Sequence, residues 1–398
     1  MNPELLSPAG SPEKLRVAIS YGADAVYCAG PSFGLRTASQ NFSFDELAAG
    51  IDFAHSKGAK VYVTVNIYPR DDELPEIKEW LKRLLGAKAD AAIISDAGVM
   101  SLAADVGLPF HVSTQANTIN SAACKVWCGM GASRVVLARE LSIAQIAKIR
   151  DAAPPDLELE AFVHGAMCVS YSGRCLLSNY LAARDANAGD CAQPCRWKYA
   201  LIEERRPGEF FPIEEDDCGT YIMNSRDMCL VRRLDELKAA GVASFKIEGR
   251  VKSEFYVATV TAAYRKAIDF GFEETLYDEL CAVSHRSYFE GFAAGVPLRG
   301  DSAWQGQLHG ENMYKYTTEF MAHVRSWQDG VALCNMRNRI HKGDELEVLT
   351  PSGVFPIVAN EMWDFDKNPT DDVKTPDMLF YIACDRQIPS DSMLRRRI

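Results

Sequence analysis

Four cysteines, Cys168, Cys175, Cys191 and Cys195, fall within one 28-residue window with 6, 15 and 3 residues between them. Four thiolates make the ligand count of a single metal centre, either tetrahedral zinc or an iron-sulfur cluster. Zinc ribbons use two tight C-x2-4-C pairs, and here only Cys191 and Cys195 are that close. The irregular spacing suits a [4Fe-4S] cluster better, with zinc the lesser alternative and unrelated free thiols behind both. The surrounding runs, Glu160-Ala-Phe-Val-His-Gly-Ala-Met-Cys168 and Ser172-Gly-Arg-Cys175-Leu-Leu-Ser178, carry glycines that permit close backbone approach to a bound group. Cys218 and Cys229 are rival ligands, and Cys229, after the helix-start pattern Asn224-Ser-Arg-Asp, is equally compatible with packing.

Other residues could work beside such a centre. His164 lies four positions before Cys168, so a Cys-His nucleophile pair is conceivable, although a strand-end histidine suits a substrate or proton contact better. Lys246 and Glu248 share one side of a strand by period-2 alternation, as a structural ion pair or as part of a site. Arg250 and Lys252 suit a phosphate or carboxylate ligand. The run from His285 to Phe292 interleaves a base, aromatics and glycine, which fits stacking on RNA bases but fits ordinary aromatic packing better. Neither a His-Glu-x-x-His zinc-protease motif nor a Gly-x-Ser-x-Gly elbow occurs.

Composition narrows the setting. With 47% hydrophobic and 24% charged residues in 398, the chain reads as an ordinary globular protein. Its first residues have neither a basic nor an apolar signal region, and no apolar run is long enough for a membrane span, so a cytoplasmic protein without a membrane partner is expected. Twelve cysteines in a reducing compartment are then not six disulfides. A formal charge of -11 argues against a broad nucleic-acid surface. A local basic site remains open to Arg196, Lys198, Arg205, Arg206, Arg250, Lys252, Arg286 and the tail Arg395 to Arg397.

The elements that must position these residues show as a repeated phrase. A helical segment, a Gly-Ala or close variant and a short β-branched run recur at Gly22, Gly58, Gly86, Gly107, Gly131 and Gly241. Glycine past a helix followed by a buried strand is the signature of a helix-to-strand turn. With Glu4-Leu-Leu and Leu157 to Val163, eight strands result, and eight such units predict an α/β fold, a TIM-type (β/α)8 barrel. The strand ends place Asn66, Gln115, His164 and Arg250 at the mouth, where barrel chemistry is built. The seventh and eighth strands lie about 80 residues apart, far beyond an ordinary connection, so the quartet sits in a cysteine-bearing insertion over the mouth. A final helix reads from Tyr264 to Phe270. From Tyr314, short alternating segments and turns predict a small C-terminal antiparallel β-barrel. The expected organisation is a barrel over 1–292 with an insertion at about 165–240, a linker over 293–311 and a β-module over 312–398.

The runs around Cys168 and Cys175, with Gly189-Asp-Cys-Ala-Gln-Pro-Cys-Arg-Trp197, Asn224 to Cys229 and Phe245-Lys-Ile-Glu-Gly-Arg250, resemble the peptidase U32 family along essentially the whole chain. The family carries a collagenase-like protease label, yet several members resemble iron-sulfur proteins of oxygen-independent hydroxylation acting on tRNA, ribosomal RNA or a quinone. The resemblance implies Cys168, Cys175, Cys191 and Cys195 as cluster ligands. Gln193-Pro-Cys195-Arg196 is similar to the tRNA branch, which implies 5-hydroxyuridine formation at the wobble position with prephenate as co-substrate. Arg250, Lys246 or Arg174 could hold prephenate's two carboxylates. One departure is Ser287-Tyr-Phe-Glu-Gly, where the family tends towards Gly-Phe-Thr-Thr-Gly. A thiol peptidase using His164 is the competing expectation, and oligomeric state is not legible.

Overall fold

The computed structural model describes residues 2–34, 41–167, 226–295 and 314–398, with short pieces between them (171, 175–182, 184, 192, 194, 201–202, 210–211, 215–216 and 219–220). Eight parallel strands form its centre: β1 (Glu4–Pro8), β2 (Ala25–Ala29), β3 (Lys60–Val65), β4 (Ala91–Ile94), β5 (Phe110–Val112), β6 (Arg134–Val136), β7 (Glu158–Ala166) and, after the short β8 (Asp227–Cys229), β9 (Ser244–Ile247). Neighbours pair in chain order, and β9 pairs with both β1 and β7, which closes the barrel. The strands are short and apolar on both faces, as parallel strands covered by helices must be. Left-handed glycines end the helices at Gly22, Gly58, Gly107, Gly131 and Gly241. At the Gly86 station it is Lys88 that takes the positive φ, 63°.

Helices α1 (Pro12–Ser20), α2 (Phe44–Ser56), α3 (Leu74–Gly86), α4 (Ala97–Val106), α5 (Ser121–Gly129) and α6 (Ile143–Ala152) separate the first seven strands. After β7 come α7 (Leu177–Ala182), α8 (Leu234–Ala239), α9 (Glu254–Phe270) and α10 (Glu274–Leu280). The final barrel helix is longer than the Tyr264 to Phe270 expected, because Ser253 caps it at Tyr256 N and its early turns, almost wholly apolar, are buried. The lumen has two characters. Leu6, Ala25, Tyr27, Tyr62, Ala91 and Ile93 pack as an apolar plug on the β1–β4 side. Arg134, Glu160 and Lys246 line the β6–β9 side and are buried as ion pairs.

β8 was not expected: it runs antiparallel to the end of β7, pairing Cys229 with His164 and Asp227 with Ala166. β10 (Tyr288–Phe289) adds to it in parallel. The C-terminal region is a separate antiparallel sheet of β11 (Thr318–Gln328), β12 (Val331–Met336), β13 (Glu345–Thr350), β14 (Gly353–Val358), β15 (Met362–Asp364), β16 (Leu379–Ala383) and β17 (Met393–Arg397), ordered β14-β13-β17-β11-β12-β16-β15. β17 corrects the reading of the arginine tail as a basic surface. Arg395 is fully buried, with Nε 2.8 Å from Glu347 and its two Nη atoms 2.7 and 2.8 Å from Glu279. Cross-strand acids consume the charge: Arg396 pairs with Glu319 and Asp344, and Arg397 with Glu347.

Candidate active site

Cys168, Cys191, Cys195, Cys218 and Arg174 lie outside the described residues. Cys175 is described, a half-buried free thiol just before α7. Ser178, the second residue of that helix, accepts the backbone N–H of Ala192 at 3.0 Å. That bond brings the neighbour of Cys191 to the helix that follows Cys175, and β7 ends two residues before Cys168. Cys229 is among the described residues: its thiol is buried, pushed up to about 11 by burial, and lies 3.8 Å from the Tyr264 hydroxyl.

Around the mouth, Gln115 is the centre of a polar cluster. Its Oε1 accepts from Asn66 Nδ2 at 2.5 Å, Ser95 Oγ at 3.1 Å and Ser113 Oγ at 3.0 Å. Tyr68 Oη and Asn117 Nδ2 donate to its carbonyl oxygen at 2.7 and 2.8 Å. These bonds hold a 3-10 turn over Thr114–Ala116, closed by Asn117 at φ 53°. Saturating the amide oxygen leaves the amide N–H2 as the group Gln115 can offer to a ligand. Arg250 Nη1 reaches Thr64 Oγ1, two residues before Asn66, at 3.3 Å. The sequence-derived pair Asn66 and Gln115 is thus brought together, with Arg250 against the same strand.

Lys246 and Glu248 are not brought together, which corrects the expected pairing. Lys246 Nζ lies 2.8 Å from Glu160 Oε1 and 4.5 Å from the Tyr27 ring centroid, inside the lumen. Burial lowers its pKa, and Glu160 opposes that shift. Glu160 Oε2 is also 3.2 Å from Arg134 Nη1. Phe162 is opposite Lys246 and Glu160 is opposite Ser244, so Glu160 is the diagonal neighbour on the same face of β7, within reach of the long lysine side chain. Glu248 is buried; its main chain accepts from Tyr256 Oη at 2.9 Å and donates to His164 O at 2.9 Å.

His164 is not at an open strand end either. Phe162 is opposite Lys246 but His164 is opposite Ile247, so Val163 is an extra residue and the register slips. The slip moves His164 from the Lys246 side to the Ile247 side. It is buried there among Tyr256, Tyr264 and Tyr288, ring centroids 6.0, 5.3 and 5.2 Å away. Tyr264 Oη donates to Val163 O at 2.8 Å, so its 3.2 Å contact with Nδ1 assigns the ring proton to Nδ1. Nε2 is 3.4 Å from the Tyr288 hydroxyl. Burial pushes the imidazole down to about 3, against a smaller opposing pull from Asp227, so it is neutral at ordinary pH.

The segment after His285 is packed rather than open for base stacking. His285 stacks on Tyr288 at 4.2 Å, and Arg286 Nε and Nη2 bind Asp227 Oδ1 at 3.0 and 2.7 Å. Sequence reading missed Glu160, Arg134, Asp227 and Tyr264 as partners. Their signal was only that of acids and aromatics on alternating strand or helix positions.

The peptidase family U32 model matches residues 10–302, and the model of the peptidase family U32 C-terminal domain matches 316–395. Over 407 residues the chain is 36% identical to "tRNA hydroxylation protein P1" of Bacillus subtilis (strain 168), covering 99% of this chain and 94% of that protein. It is 38% identical over 441 residues to "tRNA hydroxylation protein P" of Haemophilus influenzae, covering 98% and 94%. A third relative, the "23S rRNA 5-hydroxycytidine C2501 synthase" of Escherichia coli, is 40% identical over 272 residues, which cover 68% of this chain and 40% of that protein. Matched along both its barrel and its C-terminal sheet, this chain belongs to peptidase family U32.

Proposed function

We propose that this chain is an RNA-hydroxylation enzyme acting on tRNA, forming 5-hydroxyuridine at the wobble position without oxygen and with prephenate as co-substrate. The observation that carries the reading is the likeness along nearly the full chain to two proteins named for tRNA hydroxylation. In this proposal Cys168, Cys175, Cys191 and Cys195 hold a [4Fe-4S] cluster, with zinc as the lesser occupant. Bound there, the cluster supplies one-electron redox chemistry. Arg250 binds a carboxylate of prephenate, its planar fork matched to that anion. Asn66 and Gln115 orient a polar substrate edge through their amides, held in place by Ser95 and Ser113. The apolar plug of Tyr27, Tyr62 and Ile93 closes the lumen beneath the mouth to water. Neutral His164, fixed by Tyr264, positions the end of β7 that leads to Cys168.

A thiol-peptidase reading finds less support. His164 is engaged by tyrosine hydroxyls, and among the described residues the Cys229 sulfur beside this cage contacts Tyr264. Nucleoside mass spectrometry of tRNA from cells lacking the protein should show loss of wobble 5-hydroxyuridine, restored by the wild-type chain but not by Cys175→Ser. Unchanged hydroxyuridine in the deletion strain overturns the reading. Protein purified without oxygen should be brown, and a colourless protein with stoichiometric zinc would sink the cluster assignment.

A further inference from the structure

We propose that the C-terminal sheet positions the barrel mouth: His323 and Arg337 are positioning residues that grip the first turns of α1 and α9 and thereby fix the loop carrying Arg250. This rests on the function proposed above only for the role given to Arg250. β1 and β9 are neighbours, and each leads at the mouth into its helix. The two connecting loops touch, since a Cβ added to Gly10 would lie 2.0 Å from the carbonyl oxygen of Arg250. Glu13 sits in the first turn of α1, and Glu254 opens α9.

Cations from the C-terminal sheet hold both carboxylates. His323 of β11, fully buried, has Nδ1 2.8 Å from Glu13 Oε1 and Nε2 3.1 Å from Asp391 Oδ1. Arg325 pairs with Glu13 as well. Arg337 forks onto Glu254 Oε1 through Nε at 2.9 Å and Nη2 at 2.7 Å, and it also pairs with Asp377. Phe255, beside Glu254, stacks on Phe320 at 5.3 Å. An exposed pair of this kind would contribute little, but a network built on the buried side chains of His323 and Glu254 and anchored by stacked rings resists opening.

A carboxylate facing each ring nitrogen calls for the doubly protonated imidazole, since a neutral ring would turn a lone pair to one of them. The charged groups facing it are Glu13, Lys14 and Arg16 on α1, Glu254 on α9, Asp391, and Arg325 and Arg337 from the sheet. Against burial, the Nε2 hydrogen bond to Asp391 and the close ion-pair contact of Nδ1 with Glu13 raise the imidazole above its ordinary value. The grip is therefore complete below about 6.5 and is lost as pH rises through the higher folded value. On the acid side Glu13, held at about 2 by its bond to His323, lets go only as pH falls from about 4.5 towards that value.

Amide hydrogen exchange of the full chain tests this without substrate, because Glu248 N–H and Lys252 N–H are both hydrogen-bonded in this loop. In His323→Gln and in Arg337→Ala, peptides covering 248–253 should exchange at least about fivefold faster while β3 to β5 are unchanged, and Arg337→Lys should recover part of the protection. In the wild type, exchange at 248–253, corrected for intrinsic rate, should rise between pH 6 and 9, and His323→Gln should lose that dependence. Unchanged exchange in both variants, or a uniform rise through the barrel, overturns the proposal. Faster exchange at 248–253 with undiminished wobble hydroxyuridine in cells carrying either variant overturns the link to activity. The deletion strain keeps the two failures apart: if it retains hydroxyuridine, the proposed function fails and the exchange result stands by itself.

Discussion

His164 and His323 are equally withdrawn from solvent, 1% and 0% exposed, yet their surroundings drive them in opposite directions. His164 sits among three tyrosines, with no carboxylate within hydrogen-bond reach among the described residues, so burial wins and the ring is neutral. His323 has a carboxylate at each nitrogen, so the same burial is outweighed and the ring is charged. Burial alone therefore does not set protonation; the partner does. The pH consequences are opposite. His164 contributes stability that is complete above about 6.5 and declines as pH falls towards about 3, while the contribution of His323 declines as pH rises. Between them lies a window near neutrality in which both regions are intact.

The lumen network supplies the control for this comparison, because its charges sit on Arg134, Glu160 and Lys246, while the buried His111 beside it is pushed well below its ordinary value by burial and by those two cations. Glu160→Gln strips Lys246 of its counter-charge in a dry site and should cost about 3–5 kcal/mol, the largest effect expected here. Denaturant midpoints at pH 6 and pH 8 should show a loss that varies less with pH than that of His323→Gln. A loss under about 1 kcal/mol would mean that water reaches the lumen and that the network is not buried as described. Next in size is Tyr264→Phe, which removes one of the two donors to Val163 O, the other being the Leu230 N–H, and leaves the His164 Nδ1–H without its partner; it should lower stability by roughly 1–3 kcal/mol. The smallest effect belongs to His164→Asn, which keeps a donor near Tyr264 but cannot titrate. Its thermal midpoint should fall less than that of the wild type between pH 7 and 5; parallel curves would show that His164 is not held neutral.

The barrel was legible because each of its units repeats one local rule. The turns at Gly22, Gly58, Gly107, Gly131 and Gly241 need a left-handed residue after the helix, and the runs that follow are apolar enough to be buried on both faces. The polar rim was legible in the same way, since Asn66 and Gln115 fall at strand ends and meet there. Pairings set by the neighbouring strand were not. Lys246 looked like the mate of Glu248, two positions along its own strand, but it faces Glu160 from β7. The arginines of the tail looked like a solvated basic run until β13 and α10 supplied Glu347 and Glu279.

By itself the sequence determined the local periods, the glycine turns, the spacing of the cysteine quartet and the family to which these motifs belong, because each depends on residues near in the chain. The tertiary structure alone decided which charges meet and which way His164 points. One extra residue in β7 turns that side chain away from Lys246, and a slip of this kind leaves no mark in composition or spacing. It also decided that Glu13 and Glu254, 241 positions apart, share the cations of one sheet. Long-range electrostatics follow from chain closure, and only the closed barrel with its docked sheet fixes them.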